Sequence, residues 1–221
     1  MIVVVDYCKG NLKSVERGLE AVGATACISA DPRVIASAKA IVLPGVGSFA
    51  DASETMRALG QMEVIRDCIA RGVPFLGICL GLHLMFEEGT EGTLFDDEDA
   101  ENASGLSILP GVVMQMPNRD ADGASYKIPH VGWNSIDFAP DSAAAHSPLL
   151  NGIDSGEFFY FTHSYVSPDN PATLATTQHS IAFPSVVSYR DTAFGVQFHP
   201  EKSSDAGARV LRNFLEIAKG A

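Results

Sequence analysis

Paired cysteines are absent from this chain of 221 residues: Cys8, Cys27, Cys68 and Cys79 form no Cys-x-x-Cys unit and no dense framework. A disulfide scaffold is therefore not expected, and free thiols are. Positive charge is scarce as well. There are 15 Lys and Arg against 27 Asp and Glu, a net charge of −12. That balance excludes a surface built to wrap a phosphate backbone, because such binding relies on a concentrated basic face that releases counterions, so no nucleic-acid partner is expected. Long apolar runs are missing too. The longest, Val73 to Phe86, falls below the roughly 18 residues of a membrane-crossing helix and contains Pro74 and His83, so no membrane partner is expected. The opening MIVVVDY has neither the basic start nor the length of a signal peptide, and the expectation is a cytosolic protein.

With 46% hydrophobic residues, the chain can bury a substantial core within single-domain size, so one globular unit over 1–221 is expected. Its first half alternates two periods. IVVVD (2–6) is a β-branched run suited to a strand buried on both faces, and Leu12, Val15, Leu19 and Val22 follow at helical spacing. The unit recurs: TACIS with a short helix after Pro32, AIVLP with one helix across Met56, Leu59, Val64 and Cys68, and VPFLGI with a helix from Leu80. Repeated β-α units imply an α/β fold with a parallel sheet and right-handed crossovers. Beyond about Leu106 come short strand-like pieces separated by Pro, Gly and Asn: GVVMQM, GWNSIDF, EFFYFTHSYV, ATLATT, PSVVSY and FGVQF. They predict an additional antiparallel or mixed sheet, closed by a helix carrying Val210, Leu211, Phe214, Leu215 and Ala218. The acid-rich segment FDDEDAENASG (95–105) does not align its glycine and distal glutamate with a calcium loop and reads as a solvated loop.

Only Cys79 among the cysteines has flanks that resist a merely packed reading. In GICLGLH it stands between two glycines where an apolar run ends and a new element begins. A nucleophile at such a strand-to-helix turn is held on a strained backbone and exposed at the sheet edge. Glycine is needed because a Cβ at Gly77 or Gly81 would collide with neighbouring elements, and a helix N-terminus favours the thiolate. A thiolate enzyme also needs a proton shuttle and an acid to orient it. In FGVQFHPEKS, His199 and Glu201 are two apart and point to one side of an extended backbone, with Pro200 opposing a helix. Glu87 and Glu88 compete as the acid, but the helix expected after Cys79 carries them to solvent. In LPGVGSF, Gly45, Val46 and Gly47 supply flexible amides to meet the N–H of Leu80 around an oxyanion. Gly45, Gly47 and Ala50 also fit a dinucleotide fingerprint. They follow the third strand rather than the first and lack the later acid-tipped strand, so no such cofactor is expected.

Together these blocks resemble the triad-type, class I glutamine amidotransferases, whose signature pairs a G-x-C-x-G elbow with a later H-P-E. DYCKGNLKSV, IPHVGWN and FFYFTHSY extend the likeness over nearly the whole chain and narrow it to the glutaminase subunits of imidazole glycerol phosphate synthase. The resemblance implies a flavodoxin-like domain that hydrolyses glutamine and passes ammonia to a separate (β/α)8-barrel cyclase. It implies a triad of Cys79, His199 and Glu201 and an oxyanion hole of Val46, Gly47 and Leu80. It also implies substrate contacts from Gly45, His83, Ser164 and Tyr165, with His163 in the same segment, and an interface or tunnel set of Asn11, Trp133, Tyr160, His163 and Lys202. In one departure, His83 occupies the position where the family usually carries a glutamine. On the same helix face as Cys79 it would still donate a hydrogen bond to substrate. It also raises a zinc reading with Cys79 and His199, which lacks further ligands, so no metal is expected. Three other functions stay open on sequence: a paralogue feeding a different acceptor, a cysteine-elbow hydrolase, whose acid would precede its histidine, and an inactive partner-binding scaffold.

Overall fold

The structure, a computed structural model, describes residues 1–92, 102–138 and 143–220, so most of the acidic segment lies outside the described residues. The strands are β1 (Ile2–Val5), β2 (Ala26–Ser29), β3 (Ala40–Gly45), β4 (Phe75–Cys79), β5 (Phe86–Gly89), β6 (Ala103–Ser104), β7 (Leu109–Gln115), β8 (His130–Phe138), β9 (Glu157–His163), β10 (Tyr165–Val166), β11 (Thr173–Gln178), β12 (Ala182–Tyr189) and β13 (Ala193–Val196). The α-helices are α1 (Leu12–Ala21), α2 (Pro32–Ala36), α3 (Phe49–Ala58), α4 (Gln61–Ala70), α5 (Leu80–His83) and α6 (Ser204–Gly220).

A nine-stranded sheet runs in the order β2-β1-β3-β4-β13-β12-β11-β8-β9, and a smaller one in the order β10-β7-β5-β6. The β-branched runs of the first half form the parallel side of the large sheet. They are buried on both faces, as helix-covered parallel strands must be. The later strands form an antiparallel extension of that same sheet, and the smaller sheet is mixed. The topological hinge is β13, the last strand in sequence. It inserts parallel to β4 with Val196 opposite Ile78. Two apolar cores result, one on each side of the large sheet. Val4, Leu76, Phe194 and Phe214 belong to one, and Val5, Leu43, Phe75 and Leu82 to the other.

Two expectations about helices fail for identifiable reasons. The single helix expected across Met56 to Cys68 is two, α3 and α4, broken at Gly60, whose left-handed φ of 67° ends the first and opens the second. The helix expected from Leu80 lasts one turn, and Glu87 and Glu88 fall on β5 instead. There Glu87 accepts from the Gly111 N–H at 2.9 Å and Glu88 from the Asn102 amide at 2.9 Å, so the pair anchors the smaller sheet.

Candidate active site

Cys79 ends β4 with φ 53° and ψ −105°, a backbone region that non-glycine residues rarely occupy. What makes room for the turn is the lack of side chains around it. A Cβ on Gly81 would run into the Leu43 carbonyl, and one on Gly77 into the Gly81 carbonyl. A Cβ on Gly45 would meet the Tyr7 hydroxyl and, at 2.8 Å, the Leu80 Cβ. Because α5 has a single turn, the polar help near the sulfur comes from the free N–H groups that open that turn rather than from a long helix dipole. The helix N-terminus expected beside the sulfur is thus present only as a single turn.

The insertion of β13 beside β4 brings the C-terminal motif to this turn. The His199 ring is 4% exposed and the Glu201 side chain 1%. Nδ1 of His199 lies 2.9 Å from Oε1 of Glu201, while Nε2 has no other well-formed hydrogen bond and the ring interacts with the Cys79 sulfur. Burial pulls the imidazole down, but hydrogen bonding to Cys79 and Glu201, with the charges of both, outweighs it and pushes the value up to about 9. The turn is braced from behind. The His199 N–H donates to the Tyr160 carbonyl at 2.9 Å, and the Ser203 hydroxyl donates to the His199 carbonyl at 2.6 Å while accepting from the Tyr160 N–H at 3.0 Å.

A cavity of about 450 Å³ opens in front of the sulfur. Its walls are Gly45, Val46, Gly47 and Ser48 on one side, Cys79, Leu80 and His83 at the turn, and Glu91, Pro129, Thr162, His163, Ser164 and Tyr165 opposite. All the oxyanion and substrate residues expected from sequence therefore line it, whereas His199 and Glu201 sit behind the sulfur. Val46 is 45% exposed and Gly47 has φ +100°. The Tyr7 phenol next to this loop is pushed well above its ordinary value by burial and then by the Cys79 charge, with the Val46 N–H working the other way.

Three histidines near the cavity are held neutral. Burial lowers His130 and His83 to about 4 and His163 well below the ordinary imidazole value. They differ in what they bind. The Asn134 amide donates to His130 Nε2 at 3.3 Å, which assigns the proton to Nδ1 and directs it at His163 Nε2, 3.1 Å away. His163 then donates from Nδ1 to the Tyr165 carbonyl at 2.9 Å. This directed chain fixes the wall segment 163–165. His163 is thus buried, apart from the exposed set that resemblance grouped it with. Asn11, Trp133 and Lys202 are exposed and Tyr160 is half-buried. Trp133 meets Tyr160 edge-on at 6.2 Å, and Lys202 lies 5.9 Å over the Tyr160 ring.

His83 also departs from expectation. Cys79 is strand rather than helix, so no shared helix face exists, and His83 Nε2 turns to Gln197 Oε1 at 2.7 Å. The Gln197 amide in turn reaches the Cys79 sulfur at 3.7 Å. Gln197 escaped the sequence reading although it lies two residues before His199, on the same side of the extended backbone; the alternation that paired His199 with Glu201 extends one step back to it. Glu91 escaped as well, hidden at the edge of an acid-rich stretch. It is part-buried, its carboxyl is raised chiefly by that burial, and it accepts from the Phe49 N–H at 3.2 Å. Among the described residues no cluster of three or more His, Cys, Asp or Glu could hold a metal ion, and no helix is long and apolar enough to cross a membrane.

Residues 3–218 match the family model for glutamine amidotransferase class-I. The chain is 43% identical to the imidazole glycerol phosphate synthase subunit HisH of Syntrophotalea carbinolica, over 98% of this chain and 100% of that protein. It is 43% identical to the subunit of the same name from Salinibacter ruber, over 98% of this chain and 94% of that one. A crystal structure of a glutamine amidotransferase shares the fold with a TM-score of 0.70 at 19% identity, covering 99% of this chain and 100% of that one. A cysteine elbow between sheet strands, a buried His-Glu pair behind it and a cavity before it thus occur in a chain that belongs to the class-I glutamine amidotransferase family.

Proposed function

We propose that this chain is the glutamine-hydrolysing subunit of an imidazole glycerol phosphate synthase, releasing ammonia for histidine biosynthesis. The observation that carries the reading is the meeting of Cys79, His199 and Glu201 at one end of the cavity, in a chain similar over its full length to proteins of that name. Glutamine enters with its side-chain amide at Cys79 and its backbone groups toward Glu91, Ser164 and Tyr165. The Glu91 carboxylate offers a counter-charge to the substrate ammonium, and Gly45 leaves the room that a side chain would fill.

The Cys79 thiolate attacks the amide carbon, and the oxygen takes its negative charge toward the amides of Val46, Gly47 and Leu80. Each preorganised donor of this kind is worth about 2.7–4 kcal/mol of barrier. His199, held protonated to about 9, gives its proton to departing ammonia. It then takes one from the water that cleaves the thioester, while Glu201 fixes the ring tautomer through Nδ1.

A separate (β/α)8-barrel cyclase receives the ammonia, docking over the exposed Asn11, Trp133 and Lys202 and the half-buried Tyr160. Hydrolysis without that partner would waste glutamine, so the chain alone is weak and the complex faster. The Gly45–Ser48 loop is the bistable element, since its glycines permit a peptide to turn and complete the donor set. Ammonia release from glutamine, measured with and without a co-expressed barrel subunit, tests the reading. Stimulation by the partner is expected, equal turnover would remove the regulatory claim, and retention of activity by Cys79→Ala would remove the mechanism.

A further inference from the structure

We infer that Gln197 is a positioning residue for the Cys79 sulfur, its side-chain amide donating to Sγ while His83 decides which end of that amide faces the sulfur. The inference rests on the glutaminase reading and deepens it. Gln197 is fully buried and follows β13 directly. The register Val196↔Ile78 makes Gln197 and Cys79 the next opposed positions of β13 and β4, and the Gln197 N–H is fixed by the Ser185 carbonyl at 2.9 Å. A side chain launched from so rigid a site reaches the sulfur without help from any loop.

The two ends of an amide have nearly the same shape and opposite chemistry. Nε2 toward sulfur donates, whereas Oε1 toward sulfur would set a lone pair against a thiolate. His83 discriminates between them. It is 3% exposed and held neutral by burial, so its ring carries one N–H, and its Nε2 lies 2.7 Å from Gln197 Oε1. The Tyr165 carbonyl also lies within reach of the His83 ring but already accepts from His163 Nδ1 at 2.9 Å, so the single N–H is assigned to Nε2, where it pins Oε1 and leaves the Gln197 NH₂ group 3.7 Å from Sγ. The other groups facing the sulfur are the His199 ring, the Thr162 carbonyl at 3.9 Å and the Tyr7 phenol. Of the two side chains that hydrogen-bond to the sulfur, His199 gives up its proton during turnover and Gln197 does not. Gln197 therefore still serves the sulfur when the thioester breaks and the thiolate is expelled.

The test uses the full chain, alone and in its complex, with the variants Gln197→Met, Gln197→Glu, His83→Leu and His83→Gln. The first readout, alkylation of Cys79 by iodoacetamide against pH, needs no glutamine. A charge-assisted hydrogen bond is worth roughly tenfold in thiolate population, partly offset by the higher nucleophilicity of a more basic sulfur. Gln197→Met is thus expected to slow alkylation about threefold on the acid side of the profile and to lower kcat about tenfold with KM within about twofold. Gln197→Glu falls further. His83→Leu moves both readouts in the same direction as Gln197→Met, whereas His83→Gln, which keeps a donor for Oε1, restores them. A folded Gln197→Met with the wild-type alkylation profile would overturn the inference, as would identical behaviour of the two His83 variants. The His83 pair decides the matter if the Gln197 variants do not fold. Should the wild-type complex release no ammonia, the glutaminase reading fails on its own, and the alkylation profiles still decide the role of Gln197.

Discussion

The two sides of the Cys79 sulfur are built differently. Behind it, the segment from Gln197 to Glu201 is buried and held by hydrogen bonds at the Gln197 backbone and side chain, at the His199 backbone and at its Nδ1. In front, the Val46–Ser48 stretch offers amides but few constraints: Val46 is exposed, Gly47 sits at φ +100° where a Cβ would meet only the Lys9 side chain at 3.6 Å, and Ser48 serves mainly to cap α3 at the Asp51 N–H. Proton transfer tolerates little misplacement, so its groups are preorganised on sheet and turn. Donors that must be switched by a partner need a segment of low local stability. The contrast teaches that one wall of the cavity is fixed by sheet and turn while the other is held by few contacts, which is where the proposed control by a partner would act.

The sharpest break in the fixed wall is His199→Ala, expected to cost about 10⁴-fold or more in glutamine turnover of the complex, because nucleophile and base act as a unit. Glu201→Gln follows, at about 10²-fold or more, and it carries a pH signature. The imidazole of the native enzyme stays protonated up to about 9, so activity falls as pH rises through that value. Replacing the Glu201 carboxylate by a neutral amide removes part of what raises it, and the falling limb moves to lower pH; a limb that stays in place would separate Glu201 from His199. On the opposite wall, Gly47→Ala is expected to cost about 1–2 kcal/mol of stability for its positive φ. It should lower partner-stimulated hydrolysis by about tenfold, the loss of part of one oxyanion donor; full stimulation would show that the loop is not the adjustable element. Smallest is Trp133→Ala. With the side chain 52% exposed, unfolding in urea should shift by less than about 0.5 kcal/mol, while affinity for the barrel subunit drops about tenfold or more.

The same contrast shows what a sequence reveals. The β-branched runs, the two glycines around Cys79 and the two-residue step from His199 to Glu201 are local patterns, and each has a local physical cause. The placement of β13 beside β4 is a pairing over more than a hundred residues, and nothing in FGVQF announces its neighbour. Gly60 sat inside a helical period that its left-handed backbone interrupts, so two helices read as one. Gln197 and His83 were both in view, yet their bond crosses between two motifs and depends on that same strand insertion. Glu91 was masked by the acids around it.

Labelling with a glutamine-shaped electrophile, followed by mass mapping of all four cysteines, tests the central claim most directly. Cys8 is exposed on the surface, whereas Cys79 is only 7% exposed. The account predicts adduct at Cys79 ahead of Cys8, with strong slowing in His199→Ala. Labelling that follows exposure and settles on Cys8, indifferent to His199, would contradict it.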